Sequence, residues 1–175
     1  LEFRKDGYGY ERRRGVEAGT TDLTVVMWQR NRAAPAPLAQ TDNAAPELEN
    51  VDWVSADSAG LKALAGKHVV LCFWSIHGRH AARHAAALRQ LQHEHADLGL
   101  TVVTVHDASA TLAELREFAT QYELPFRMAR ARPGEADGWM SKAFTAYGVR
   151  TVPKAFLIDA EGVLRAEGTL ADIAK

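Results

Sequence analysis

Residues 69–91 read VVLCFWSIHGRHAARHAAALRQL, and within them the hydrophobic period changes once. The first six, VVLCFW, are apolar without a break, the pattern of a central strand covered by helices on both faces. From residue 79 to 97 the period becomes helical. At about 100° per residue, Ala85, Leu88, Leu91 and Leu98 fall on one face, with Arg83, Arg89, His93, Glu94 and Asp97 on the other. Gly99 then stands where a helix C-cap belongs.

Working toward the C-terminus, residues 100–105 read as a second buried strand, and 111–122 as a helix with Leu112, Leu115 and Phe118 inward. Residues 125–128 form a short extended piece, and 139–147 another helix, stopped by Gly148. Residues 154–159, the turn Ala160-Glu161-Gly162 and residues 163–167 make a hairpin. Pro153 precedes it, where proline is tolerated at the first residue of a strand. Strand, helix, strand, helix and a closing hairpin predict an α/β fold, a three-layer α/β/α sandwich around a mixed sheet.

Toward the N-terminus the pattern is different. Residues 1–30 alternate as strands, with Leu23, Val25 and Met27 set against Thr24, Val26 and Trp28. Residues 31–50 are rich in Ala and Pro and read as a semi-extended linker. The expected organisation is therefore strands at 1–30, a linker at 31–50 and the α/β domain at 51–175.

The 175 residues, 47% hydrophobic and 25% charged, have ordinary globular composition. A net charge of -1 gives no broad positive field, and Arg12-Arg13-Arg14 is the one basic run, so a nucleic-acid partner is not expected. No run of 18 apolar residues predicts a membrane-spanning segment, and residues 1–20 lack a signal-peptide pattern. The one cysteine, Cys72, has no disulfide partner within the chain. It lies six residues before Gly78, on the order of 10 Å down the strand from the turn, and reads as a small buried hydrophobe.

Residues 69–91 resemble the first strand and active-site helix of the TlpA/ResA group of bacterial thioredoxin-like proteins (redoxins of the AhpC/TSA type). The pattern there is a strand ending in Phe-Trp, a Trp-Cys-x-x-Cys turn and a helix. Residues 147–168, YGVRTVPKAFLIDAEGVLRAEG, are similar to the group's second hallmark: Gly-Val-x-x-x-Pro with a cis proline, a strand, an Asp-x-x-Gly hairpin and a return strand. Together the two matches span roughly residues 51–175.

Aligned without a gap, the family's cysteines fall on Gly78 and Ala81, with Arg79 and His80 between them. His77 replaces its tryptophan and His84 its glutamate. Dithiol exchange needs one thiolate of lowered pKa and a second thiol to resolve the mixed disulfide. Neither sulfur is present at this turn. The resemblance further implies that the backbone of Val152, before the proline, pairs with an extended peptide, with Trp74, His77, Arg79 and Pro153 around it. Arg79 opposes the helix dipole, an opposition that a bound anion would relieve.

The favoured expectation is a redox-inactive thioredoxin-like module that binds a peptide or protein, or serves as a scaffold, and uses no cofactor. The alternative is a thiol-disulfide oxidoreductase or peroxide reductase working through Cys72 or a partner's thiol. A third reading is a metal-binding protein. On the helical wheel His77, His80 and His84 fall within about 60° of one another, and His106 ends the second strand at the same sheet edge. Against that, His84 and His95 read as core-edge residues with one hydrogen bond each, and His80 as solvent-facing.

Residues 7–30, GYGYERRRGVEAGTTDLTVVMWQR, are similar to the last strands of carboxypeptidase-regulatory-like β-sandwich domains. That resemblance implies a longer multidomain bacterial protein. The family resemblances carry with them an extracytoplasmic location.

Overall fold

The apolar run at 69–74 becomes the middle of a six-stranded sheet. The computed structural model describes residues 2–3, 11–12, 39–54, 60–133 and 141–173. The chain divides into two units, Leu1–Ala36 and Pro37–Lys175. In the first, strand β1 (Glu2–Phe3) pairs antiparallel with β2 (Glu11–Arg12). The strand expected at 20–28 lies outside the described residues.

The second unit contains β3 (Val51–Trp53), β4 (His68–Trp74), α1 (Ala81–Glu94), β5 (Leu100–His106) and α2 (Leu112–Gln121). There follow β6 (Arg127–Ala131), α3 (Lys142–Ala146), β7 (Lys154–Ile158), β8 (Leu164–Gly168) and α4 (Leu170–Ile173). The strand order is β3-β6-β5-β4-β7-β8. β4, β5 and β6 run parallel, while β3, β7 and β8 each pair antiparallel with their neighbours, so the sheet is mixed as expected.

Strand periodicity divides β4 between two cores. Val69, Leu71 and Phe73 pack on one face with Phe144 and Tyr147, next to α3 and β7. Val70, Cys72 and Trp74 pack on the other with Ala85 and Leu88 of α1 and Leu115 of α2. Phe73 anchors its side through edge-on contacts to Phe144 (4.9 Å between centroids) and Phe156 (5.8 Å). Such pairs add about 0.5–1.5 kcal/mol beyond the area they bury.

Several expected boundaries move. The helix read over 79–97 is shorter: α1 stops at Glu94, and Ala96–Leu98 form a separate 3-10 turn before Gly99, at φ 75°, reverses the chain. The 100° wheel does not carry through that turn, so Leu98 is 73% exposed rather than inward. The extended piece read at 125–128 is displaced to β6. α3 begins at Lys142, capped by the Ser141 hydroxyl that accepts from the Phe144 N–H. Residues 139–140, where that helix was expected to start, lie outside the described residues.

The largest correction concerns the linker. Residues 39–50 are an integral part of the second unit: Ala39 and Leu48 are buried in the core that contains Phe73. The Tyr147 hydroxyl donates to the Pro46 carbonyl at 2.6 Å. Ala44 bridges Val163, and the Leu164 N–H donates to the Asn43 carbonyl at 2.9 Å. Alanine and proline suit this strap because it lies flat on the domain and buries small side chains. Among the described residues no helix is long and apolar enough to cross a membrane.

Candidate functional site

β4 delivers the chain to the turn at 75–80, and α1 carries it away from Ala81. Gly78, Arg79 and His80 are exposed there, and Ala81 is buried as the first residue of the helix. The turn is held by backbone bonds, Gly78 N–H to the Ser75 carbonyl (3.1 Å) and Ala81 N–H to the Gly78 carbonyl (3.0 Å). His80 occupies the N-cap position but makes no side-chain capping bond.

The turn is also pinned from the neighbouring strand. The Ile76 N–H donates to Nε2 of His106 at 2.7 Å. With Nε2 accepting, the ring proton is on Nδ1, which donates to the Asp107 carbonyl at 2.7 Å and lies 3.2 Å from the Asp107 carboxylate. Burial alone would raise the Asp107 pKa, but hydrogen bonds from His106 and Ser109 outweigh it and hold the carboxyl well below the usual range. His106 is therefore a buried clamp between the end of β5 and the turn.

This arrangement bears on the four histidines considered as metal ligands. His77 precedes α1, so the wheel does not govern its direction, and its ring sits edge-on to His106 at 6.0 Å between centroids. Both nitrogens of His106 are engaged. His80 is exposed, and His84 turns toward the sheet. Among the described residues no three metal-ligating side chains are grouped so as to hold an ion.

His84 meets Cys72: Sγ lies 3.1 Å from Nε2. Burial pushes the Cys72 thiol up to about 12, and burial also lowers the His84 pKa. Both shifts favour the neutral forms, so the contact joins a thiol to a neutral imidazole rather than a thiolate to an imidazolium. Trp74 covers His84 with ring centroids 5.7 Å apart, and the indole N–H of Trp74 is buried without a partner among the described residues.

Above this pair runs a groove of about 730 Å³. Trp74, Arg79, Val152 and Pro153 line one end of it, so four of the five expected peptide-site residues are brought together. His77, the fifth, lies outside the lining. The Val152–Pro153 peptide bond is cis. No described residue takes the backbone N–H or C=O of Val152, although Lys154 two residues on is already paired with Phe73 in the sheet. The groove continues along α1 past Ala87 and Leu91 to Glu94, with Leu170 and Ala171 on the opposite wall. That extension was missed from the sequence. The signal was present in the spacing of 80, 84, 87, 91 and 94, which is one face of a helix.

Residues 41–167 match the AhpC/TSA family. The chain belongs to that family. Among curated relatives, the thiol-disulfide oxidoreductase ResA of Bacillus thuringiensis subsp. konkukian is 29% identical over 102 residues, covering 58% of this chain and 54% of that protein. ResA of Bacillus anthracis matches to the same extent. This AhpC/TSA chain thus spans about half the length of the curated relatives it matches. Among solved structures, a thioredoxin-like superfamily protein superposes with a TM-score of 0.64 at 26% identity, covering 72% of this chain and 85% of that one. A thiol:disulfide interchange protein DsbE from Chlorobium tepidum superposes at 0.61 with 22% identity, covering 77% and 90%, and that likeness speaks to the fold alone. The AhpC/TSA domain described here is thioredoxin-like, of the TlpA/ResA type.

Proposed function

We propose that this domain binds an extended peptide or protein segment in the groove beside Val152 and Pro153, and that it does so without thiol-disulfide exchange. The observation that carries the reading is the backbone of Val152, without a partner among the described residues, at the rim of an open groove. A strand laid there would satisfy both groups by main-chain bonds, the β-augmentation mode. Gly78 and Ala81 supply no sulfur for exchange.

The Cys72–His84 contact favours a second reading, exchange through Cys72 with the imidazole as base. It requires the strand and α1 to part, because Cys72 is fully buried. Turnover of insulin disulfides with dithiothreitol separates the two. The expected result is no activity for the protein or for Cys72→Ala, and activity on changing Gly78→Cys and Ala81→Cys together. A side chain at Gly78 would begin 3.1 Å from the Ser75 carbonyl, so the turn must relax slightly to admit it. Turnover by the natural chain that Cys72→Ala abolishes would establish the second reading instead.

The β-sandwich likeness of residues 7–30, a longer multidomain parent and an extracytoplasmic location belong to the same proposal. They rest on resemblance, and a protease-protection assay on intact cells producing the full-length protein tests the location.

A further inference from the structure

The groove is not electrically uniform. Arg79 and Arg83 stand at the end next to Val152, and neither guanidinium has an ion-pair partner among the described residues. The first turn of α1 contains no acidic side chain. Among the described residues the one carboxylate lining the groove is Glu94, at the far end, where its side chain accepts from Nε2 of Gln90 at 2.7 Å. From residue 83 to 94 is about 16 Å along a helix. That exceeds the Debye length of about 8 Å at physiological salt, so Glu94 does not neutralise the arginines. Asp172, on the neighbouring α4, accepts from the backbone N–H and hydroxyl of Thr169. Between the two ends Ala87, Leu91 and Leu170 give the walls an apolar stretch, with His84 and Gln90 beside it.

We propose that the occupant of this groove is an extended acidic-apolar peptide segment of a partner protein, with a carboxylate side chain against Arg79 and Arg83, apolar side chains over Ala87, Leu91 and Leu170, and no acidic residue facing Glu94. The inference rests on the peptide-binding reading above and adds the chemistry of the partner and its direction in the groove. α1 has 14 residues and is about 20 Å long, so an extended chain at about 3.3 Å per residue spans it in about six residues. The arginines fix which end of the segment lies at Val152. The Glu94 carboxylate repels an acidic residue at the other end, so reversed or wholly acidic segments are disfavoured. Both arginines are exposed, so each contributes modestly to affinity and more to discrimination.

The test uses the whole 175-residue chain and fluorescein-labelled hexapeptide pools, apolar at the inner positions, with Glu, Gln or Lys fixed at one terminus or the other. Anisotropy titrations at low salt are expected to rank one Glu-terminal pool first, about fivefold tighter than the matching Lys pool. Arg79→Gln with Arg83→Gln should erase the ranking, so that the Glu, Gln and Lys pools bind alike. Glu94→Gln should narrow the gap between the two Glu-terminal pools. Equal binding of all pools in the natural chain would overturn the charge assignment and leave groove binding intact. Absence of binding by every pool, including the Gln pool, would overturn the peptide-binding reading itself. Sedimentation that detects a dimer broken by Arg83→Glu would make a second copy of the chain the occupant, and would likewise overturn the proposal.

Discussion

The Sγ of Cys72, in the third strand position from the top of β4, lies 3.1 Å from Nε2 of His84, one turn into α1. The pair joins the sheet layer to the helix layer directly beneath the groove. With the thiol held near 12 by burial, it is a packed and unreactive group in the native state. Ellman's reagent should leave Cys72 unmodified in buffer and label it completely in guanidinium chloride. Rapid native labelling would mean that α1 lifts from the sheet. Cys72→Ala should lower stability by about 1–2 kcal/mol, the cost of a small core truncation.

His84 gives the fold a dependence on pH of known sign. Burial lowers its pKa in the folded chain, with Cys72 and the Trp74 ring against it. The unfolded chain therefore takes up a proton first as pH falls through about 6.5. Its contribution is complete above that pH and is lost progressively toward the lower folded value. Urea midpoints measured from pH 8 to 5 should fall more steeply for the natural chain than for His84→Gln. Parallel curves would remove His84 from the account.

One of the bonds that hold the strap comes from a side-chain hydroxyl. Tyr147→Phe removes the 2.6 Å bond to the Pro46 carbonyl while keeping the aromatic contacts to Phe73 and Phe156. The expected loss is about 1 kcal/mol, accompanied by faster proteolytic cleavage within residues 39–50. Unchanged cleavage would show that the backbone bonds to residues 146 and 162–164, with buried Ala39 and Leu48, hold the strap without the hydroxyl.

The β7–β8 turn depends on a single carboxylate. Asp159 accepts from the N–H groups of Glu161 and Val163 and from Nε of Arg165 at 2.6 Å. Asp159→Ala should lower the thermal midpoint markedly, and Asp159→Asn, which keeps an acceptor, by less. The backbone bond from the Val163 N–H is the largest cause lowering the Asp159 pKa, and Arg165 adds to it. The carboxylate's stabilising contribution is therefore present above the ordinary aspartate range and lost as pH falls through the lower folded value. In Asp159→Asn that acid-side loss should diminish. An identical acid profile would assign it to other carboxylates.

Where sequence and structure agree, the reason is local. The six apolar residues of β4, the left-handed Gly99 and the Asp159–Gly162 turn each carry their own conformational signal, and each forms where it was read. His84 was legible as a core-edge residue because its position on the wheel is local too. Its partner was not, since the Cys72–His84 contact depends on how α1 is seated on β4. The same limit explains residues 39–50, whose Ala and Pro content describes a linker until Tyr147 and the outer edge of β8 supply contacts from more than 100 residues away. His106 looked like a ligand at a sheet edge. What decides its role is the Ile76 N–H, a backbone group that no side-chain pattern announces.

The strap also governs how this domain behaves toward its own copies. β8 is the last strand of the sheet, and the bonds between residues 42–45 and 162–164 occupy part of the backbone that would otherwise face outward. An uncovered strand of this kind is a template for end-to-end polymerisation. A fragment begun at Val51 would retain every strand of the sheet and still expose that rim, so its failure would take the form of aggregates from a folded domain. The residues that look least structured in this unit are the ones that cover the rim of its outermost strand.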